Sequence, residues 1–284
     1  MSQITPQMVK ELREKTGAGM GDCKKALTET DGDMQAAIEY LRKKGAASAS
    51  KRADRDANEG AIGTLTGDDN KTGVFVEVNC ETDFVSRNEG FQKFVEVATK
   101  AFLDSDAENI GDLMKLKVGD DTVQGLFDEL LAKFSERIEI KRAEKIKTDG
   151  YLSAYVHAGN KLAVIVEISE PNPNNTAASL VRDIAMQIAA MNPQYISRDD
   201  VDKDVIDKEV EIYKEIAVKE GKPAEIAERI STGKLEKFFQ ENCLLEQTFV
   251  KDSNKLVKDV VADISKEMDK EVKIKSFKRI FLGE

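Results

Sequence analysis

One histidine, three cysteines and no tryptophan are what this chain offers to covalent chemistry. His157 stands two residues before Gly159, in a turn. A lone imidazole there more often makes a structural or surface contact than serves as a general base. Cys23, Cys80 and Cys243 are far apart, odd in number and form no CxxC pair. Neither a disulfide framework nor a zinc site is expected, and a reducing cytosol is the expected compartment. A Cys80 nucleophile activated by His157 is the one enzyme reading the residues leave open. It needs a lowered thiol pKa and the two side chains brought together. Gly67-Asp68-Asp69-Asn70-Lys71-Thr72 has the look of a phosphate loop, but lacks the glycine before the lysine and the first glycine at the right spacing. Asn160-Lys161 is not followed by an aspartate two positions on, so a guanine-reading motif is missing too. No metal or cofactor is expected, and the chain is not expected to hold a guanine nucleotide itself.

The most unusual segment is Val78-Asn79-Cys80-Glu81-Thr82-Asp83-Phe84-Val85-Ser86-Arg87-Asn88. It joins an apolar strand to a helix starting near Glu89. Periodicity alone supports a plain role: Thr82 or Asp83 caps that helix and Phe84 is its hydrophobic staple.

Charge narrows the partners. The 284 residues carry a formal net charge of −10, which argues against broad nucleic-acid binding, since that needs Lys and Arg to displace phosphate counterions. Residues 1–55 run the other way, with eleven Lys/Arg against eight Asp/Glu. They read as a solvated basic surface or as a docking face for an acidic patch. Hydrophobic residues make up 40% and charged ones 34%, a globular composition. No apolar run approaches the roughly 20 residues that cross a bilayer, and Met1–Pro6 shows no basic-then-apolar leader.

The elements that must position these residues follow from pattern. Residues 1–45 predict three short helices. Thr5-Pro6 starts the first, Gly17-Ala18-Gly19 ends it, Asp33 caps the third, and Gly45 closes it in a left-handed conformation. Residues 46–58 lack large apolar groups and read as a linker, in part helical. A weak repeat comes next. Strands 60–65 and 73–78 precede a helix over 89–102, and strands 150–155 and 163–168 precede a helix over 176–191. Gly-Val-Phe-Val-Glu-Val in the first copy matches Ala-Val-Ile-Val-Glu-Ile in the second. A helix over 121–135 and a strand over 138–146 lie between them. Ile206, Val210, Tyr213 and Ala217, spaced four, three and four, predict a coiled-coil seam, broken at Gly221-Lys222-Pro223 and answered by Ile226 and Ile230. A helix over 254–268 and a strand over 272–277 close the chain. The fold class is α+β: a three-helix module (1–45), a linker (46–58), two repeated α+β subdomains with antiparallel sheets (59–149 and 150–201 with 249–284), and an inserted antiparallel coiled-coil hairpin (202–248).

Two segments carry a family resemblance. Val9-Lys10-Glu11-Leu12-Arg13-Glu14-Lys15-Thr16-Gly17-Ala18-Gly19-Met20, continuing Asp22-Cys23-Lys24-Lys25-Ala26-Leu27, resembles the N-terminal signature of the elongation factor Ts family. Asn79-Cys80-Glu81-Thr82-Asp83-Phe84-Val85 resembles its second signature, and Tyr155-Val156-His157-Ala158-Gly159 and the hairpin match as well. Gly21 departs, since some relatives carry a second methionine there. Residues 275–284 resemble the family's last core strand, beyond which many relatives continue into a further helix.

The resemblance implies a cytoplasmic exchange factor, not an enzyme, whose partner is the GTPase elongation factor Tu. Its first module, similar to ubiquitin-associated domains, would grip the partner through Lys10, Arg13, Met20 and Lys24. The Thr82-Asp83-Phe84-Val85 loop would enter beside the partner's magnesium site, with Asp83 and Phe84 intruding and Val85 in support. His157 would pack against the partner. An adaptor that binds a protein through residues 1–45, without exchange activity, is the alternative.

Overall fold

The computed structural model describes residues 4–284, so the leader reading of Met1–Gln3 lies outside the described residues. The chain divides into two compact units. Among the described residues, the first comprises residues 4–147 with 156–163 and 280–284, and the second residues 148–155 with 164–279.

The first unit opens with α1 (Pro6–Thr16), α2 (Met20–Glu29) and α3 (Met34–Ser50). Local chemistry sets their ends. The Thr5 hydroxyl accepts from the Met8 amide, Pro6 sits at the first helical position, and Gly17 takes φ 70° to stop α1. Asp33 caps α3 by accepting from the Ala36 amide. Val9, Leu12, Cys23, Ala26, Leu27, Ala37 and Leu41 close into a small core.

The third helix corrects the expected stop at Gly45. It runs on to Ser50, and Gly45 lies inside it as a point of close approach. A Cβ there would stand 2.7 Å from both Cα and N of Ala132, on the helix that packs against α3. The stretch read as a linker is likewise packed. Arg52 is 8% exposed and donates to the carbonyls of Ser48, Phe134 and Glu136, and Ala57 is buried.

The rest of this unit is a sheet covered by helix. β1 (Glu59–Thr66) and β2 (Thr72–Cys80) form an antiparallel hairpin turned at Asn70, whose φ of 53° an asparagine tolerates. After β2 come α4 (Asp83–Ser86), α5 (Glu89–Leu103), α6 (Ile110–Leu113), the two-residue strands β3 (Lys117–Val118) and β4 (Asp121–Thr122), α7 (Val123–Lys133) and β5 (Ile138–Lys147). β5 returns antiparallel to β2, giving the order β1-β2-β5. Phe91, Phe94, Val95, Ala98 and Phe102 line one face of α5 and bury it on the sheet with Val74, Val76 and Val78.

The second unit repeats the plan with β6 (Tyr151–Val156), β7 (Leu162–Ile168) and α8 (Asn175–Met191). α9 (Lys203–Lys219) and α10 (Ala224–Asn242) follow as a hairpin, then β8 (Thr248–Phe249), β9 (Asp252–Leu256), α11 (Val257–Met268) and β10 (Ile274–Phe281). β10 lies beside β7, in the order β10-β7-β6. The matched glutamates of the repeat are used alike. Glu77 on β2 is fully buried and paired with Arg142, its cross-strand neighbour on β5. Glu167 on β7 pairs with Lys275 on β10 at 3.2 Å and accepts from the Thr148 and Ser276 hydroxyls. Each carboxylate, Glu77 fully buried and Glu167 partly so, thus meets a cation on the third strand, which offsets its desolvation.

Two expectations shift here. Ile226 is 47% exposed, while its neighbour Ala227 is buried, as is Ala217 on α9, in two helices that pack against each other. The helix expected over 254–268 starts only at Val257, because Asp252–Leu256 pairs with β8. Among the described residues no helix is long and apolar enough to cross a membrane, and no group of three His, Cys, Asp or Glu is placed to hold a metal ion.

Candidate functional site

The unusual segment forms its own four-residue helix. α4 sits between β2 and α5, with Thr82 extended at φ −128° as its N-terminal boundary. α5 has a separate cap, Asn88, whose Oδ1 accepts from the Gly90 amide at 2.9 Å. Neither Thr82 nor Asp83 caps α5, which corrects the plain reading. Phe84 is no staple: it is 86% exposed, while its neighbours Val85 and Ser86 are 6% and 4% exposed. Successive helical residues point about 100° apart, so sinking Val85 and Ser86 turns Phe84 outward. Val85 therefore supports the tip from beneath, within the core of the unit, and presents no surface of its own.

The tip is held from three sides. Thr82 gives both its amide and its hydroxyl proton to the Glu136 carboxylate, at 3.0 and 2.6 Å. Glu81 accepts from the Arg137 amide and pairs with Arg55 at 3.1 Å. The Arg137 amide, followed by Arg55, holds the Glu81 carboxyl below its ordinary range. On the far side, Gln92 donates to the Ser86 carbonyl and accepts from the Asn160 side chain at 3.0 Å.

That last link brings in His157. The turn after β6 exposes His157, whose amide donates to the Leu162 carbonyl and whose carbonyl accepts from the Asn160 amide. Asn160 takes φ 57°, and its carbonyl accepts from the Ile62 amide of β1 at 2.7 Å. One glutamine, Gln92, thus ties the His157 turn to the end of α4.

Asp83 has 42% of its side chain exposed and pairs with the exposed Arg87 at 3.2 Å. A pair in that setting contributes roughly 0–1 kcal/mol, so the carboxylate can exchange Arg87 for another cation at little cost. Cys80 is the reverse. It is fully buried, its thiol donates to the Thr82 carbonyl at 3.2 Å, and burial pushes it up to about 12, with the Glu136 and Glu59 carboxylates adding to the rise. That is the opposite of the lowered thiol pKa that the Cys80–His157 reading needs.

The four residues singled out in the first helices are all exposed, Met20 by 46%. Lys10 and Arg13 lie three apart on α1, and Met20 and Lys24 four apart on α2, so each pair shares a helix face. Sequence reasoning missed Glu136 and Gln92. Glu136 is 54 positions from the residue it grips, and no local spacing announces such a contact.

The profile of the family described as Elongation factor TS matches residues 81–284. Elongation factor Ts of Chloroherpeton thalassium is 48% identical over 289 residues, covering 100% of both chains. That of Chlorobaculum tepidum is 47% identical with the same coverage, and that of Clostridioides difficile 45% identical over 100% of this chain and 94% of its own. Identity of this extent over the whole length, together with the profile match, means that the chain belongs to the elongation factor Ts family.

Proposed function

We propose that this chain is a guanine-nucleotide exchange factor for elongation factor Tu, and that Phe84 is the group that disturbs the partner's nucleotide site. The observation that carries this is an aromatic ring 86% exposed at the tip of a short helix braced on both flanks. A ring of that size left in water has no role in its own fold and is suited to a pocket elsewhere.

The mechanism needs no covalent step. A GTPase holds GDP through phosphate-cradling amides, a lysine and Mg²⁺. A partner that binds the empty form more tightly than the GDP form weakens GDP by the same factor. Fully burying a phenylalanine contributes roughly 1.5–3 kcal/mol, and each 1.4 kcal/mol is about tenfold. Phe84 accounts for about one to two decades on this reading, and the wider interface for the rest. Asp83 adds to it by competing electrostatically in the Mg²⁺ environment.

Lys10, Arg13, Met20 and Lys24 form the docking face on the first helices, and His157 is a second contact. The α9–α10 hairpin is read as a coiled coil, and the site of action as the cytoplasm. The direct test is stopped-flow release of fluorescent GDP from elongation factor Tu. Catalytic amounts of this chain should accelerate release. An unchanged rate, with binding still detected, favours the adaptor reading.

A further inference from the structure

We propose that Glu136 is the positioning residue for the Phe84 tip, an inference that rests on the exchange reading above. A four-residue helix cannot hold itself, since forming a first turn fixes several dihedrals for a single hydrogen bond. α4 also lacks a side-chain hydrogen bond at its N-cap. Its entry angle must be imposed from outside, and the Glu136 carboxylate does this. One oxygen accepts from the Thr82 amide at 3.0 Å and the other from the Thr82 hydroxyl at 2.6 Å. Two charge-assisted bonds to the backbone and the side chain of one residue fix both its position and its rotation. Thr82 is the residue from which α4 departs, so its orientation sets where the ring two positions on is aimed.

Glu136 is itself anchored. Its carbonyl accepts from Arg52, a residue 8% exposed that also donates to the carbonyls of Ser48 in α3 and Phe134. The next residue, Arg137, gives its amide to Glu81 and its guanidinium to the Arg55 carbonyl and to Glu139. The contacts run from the end of α3 through Arg52 and Glu136 to Thr82. Glu136 therefore links the end of α3, through its carbonyl, to the tip, through its carboxylate. Its role is separable from folding. Thr82 and Glu136 are only half-buried, and Val85 and Ser86 keep α4 seated in the core without them.

The test uses the full chain with Glu136→Ala, Glu136→Gln and Phe84→Ala, alone and combined. Glutamine is the conservative variant, because its carbonyl can accept from the amide and its NH₂ can donate to the hydroxyl oxygen. Glu136→Ala should lower the maximal rate of GDP release from elongation factor Tu by about tenfold, with half-saturation changed by less than about twofold. Glu136→Gln should recover most of that loss. In the Phe84→Ala background Glu136→Ala should cost nothing further, since there is no ring left to aim. A full additional loss in that background, or wild-type rates in Glu136→Ala, overturns the proposal.

Hydrogen exchange of the free chain decides the same point without the partner. Glu136→Ala should speed exchange of the amides of residues 82–87 by about tenfold and leave β2 protected. Unchanged protection overturns the positioning role. If the wild-type chain fails to release GDP while Glu136→Ala still loosens residues 82–87, the exchange reading fails and the brace stands.

Discussion

Replacing Phe84 with alanine separates what the ring does for the fold from what it does for a partner. The side chain is 86% exposed, so folding has claimed about one-seventh of its burial free energy. With roughly 1.5–3 kcal/mol for complete burial, the fold should lose only about 0.2–0.4 kcal/mol. The remaining 1.3–2.6 kcal/mol, roughly, is still available to an interface. At 1.36 kcal/mol per decade, Phe84→Ala should slow stimulated GDP release by about nine- to eighty-fold. The assay is stopped-flow release of fluorescent GDP from elongation factor Tu, with a thermal melt of the variant alone. We expect a melting temperature within about 1–2 °C of wild type beside the kinetic loss. Wild-type release kinetics in the folded variant would refute the wedge. A large fall in melting temperature would instead mean that the ring had been part of the core.

Three further outcomes follow from the first unit. Gly45→Ala adds about 1 kcal/mol of helix propensity but places a methyl 2.7 Å from the Ala132 backbone, and overpacking costs about 1–3 kcal/mol. Because the clash is with backbone that cannot rotate away, it should win by about 1 kcal/mol, and a melting curve should show a loss of about 2–4 °C, not a gain. Reversing the charge of exposed Lys10 and Arg13 should weaken binding to elongation factor Tu by about tenfold at low salt, less at high salt, with the melting temperature unchanged. Isotherms measured at two ionic strengths check this. Glu81 has a folded pKa below its unfolded value of 4.5, so its contribution is complete above that pH and is lost as pH falls through the folded value. Wild type should therefore lose stability on acidification below 4.5 more steeply than Glu81→Gln. Parallel acid limbs in chemical denaturation would contradict the Glu81 brace.

Much of this architecture is written locally. Thr5-Pro6 and Gly17 bracket α1 with capping chemistry that needs no partner, and Asp33 does the same for the start of α3. The repeat around Glu77 and Glu167 was legible because a central strand alternates little and carries one charged residue among apolar ones. Gly45 misled because a glycine at the end of a periodic stretch looks like a cap. The packing of α3 against α7 makes it a spacer, and that contact is invisible along the chain. The helix expected over 254–268 takes in Asn254–Leu256 because the strand they end is defined by its pairing to β8, not by its own pattern. At the candidate site, the signature residues around Phe84 could be read from the sequence. Their direction could not, because a staple and an exposed tip differ only in whether the ring or Val85 turns inward. Glu136 and Gln92 were hidden for the same reason: each acts across the fold.

The central claim is thermodynamic, and one titration measures it. The chain should be titrated calorimetrically into elongation factor Tu freed of nucleotide and, separately, into the GDP complex with Mg²⁺. We predict binding to the empty form tighter by at least about a hundredfold, and a corresponding reduction in GDP affinity when this chain is bound. Equal affinity for the two forms would contradict the account, because a ligand that does not discriminate between them cannot displace GDP.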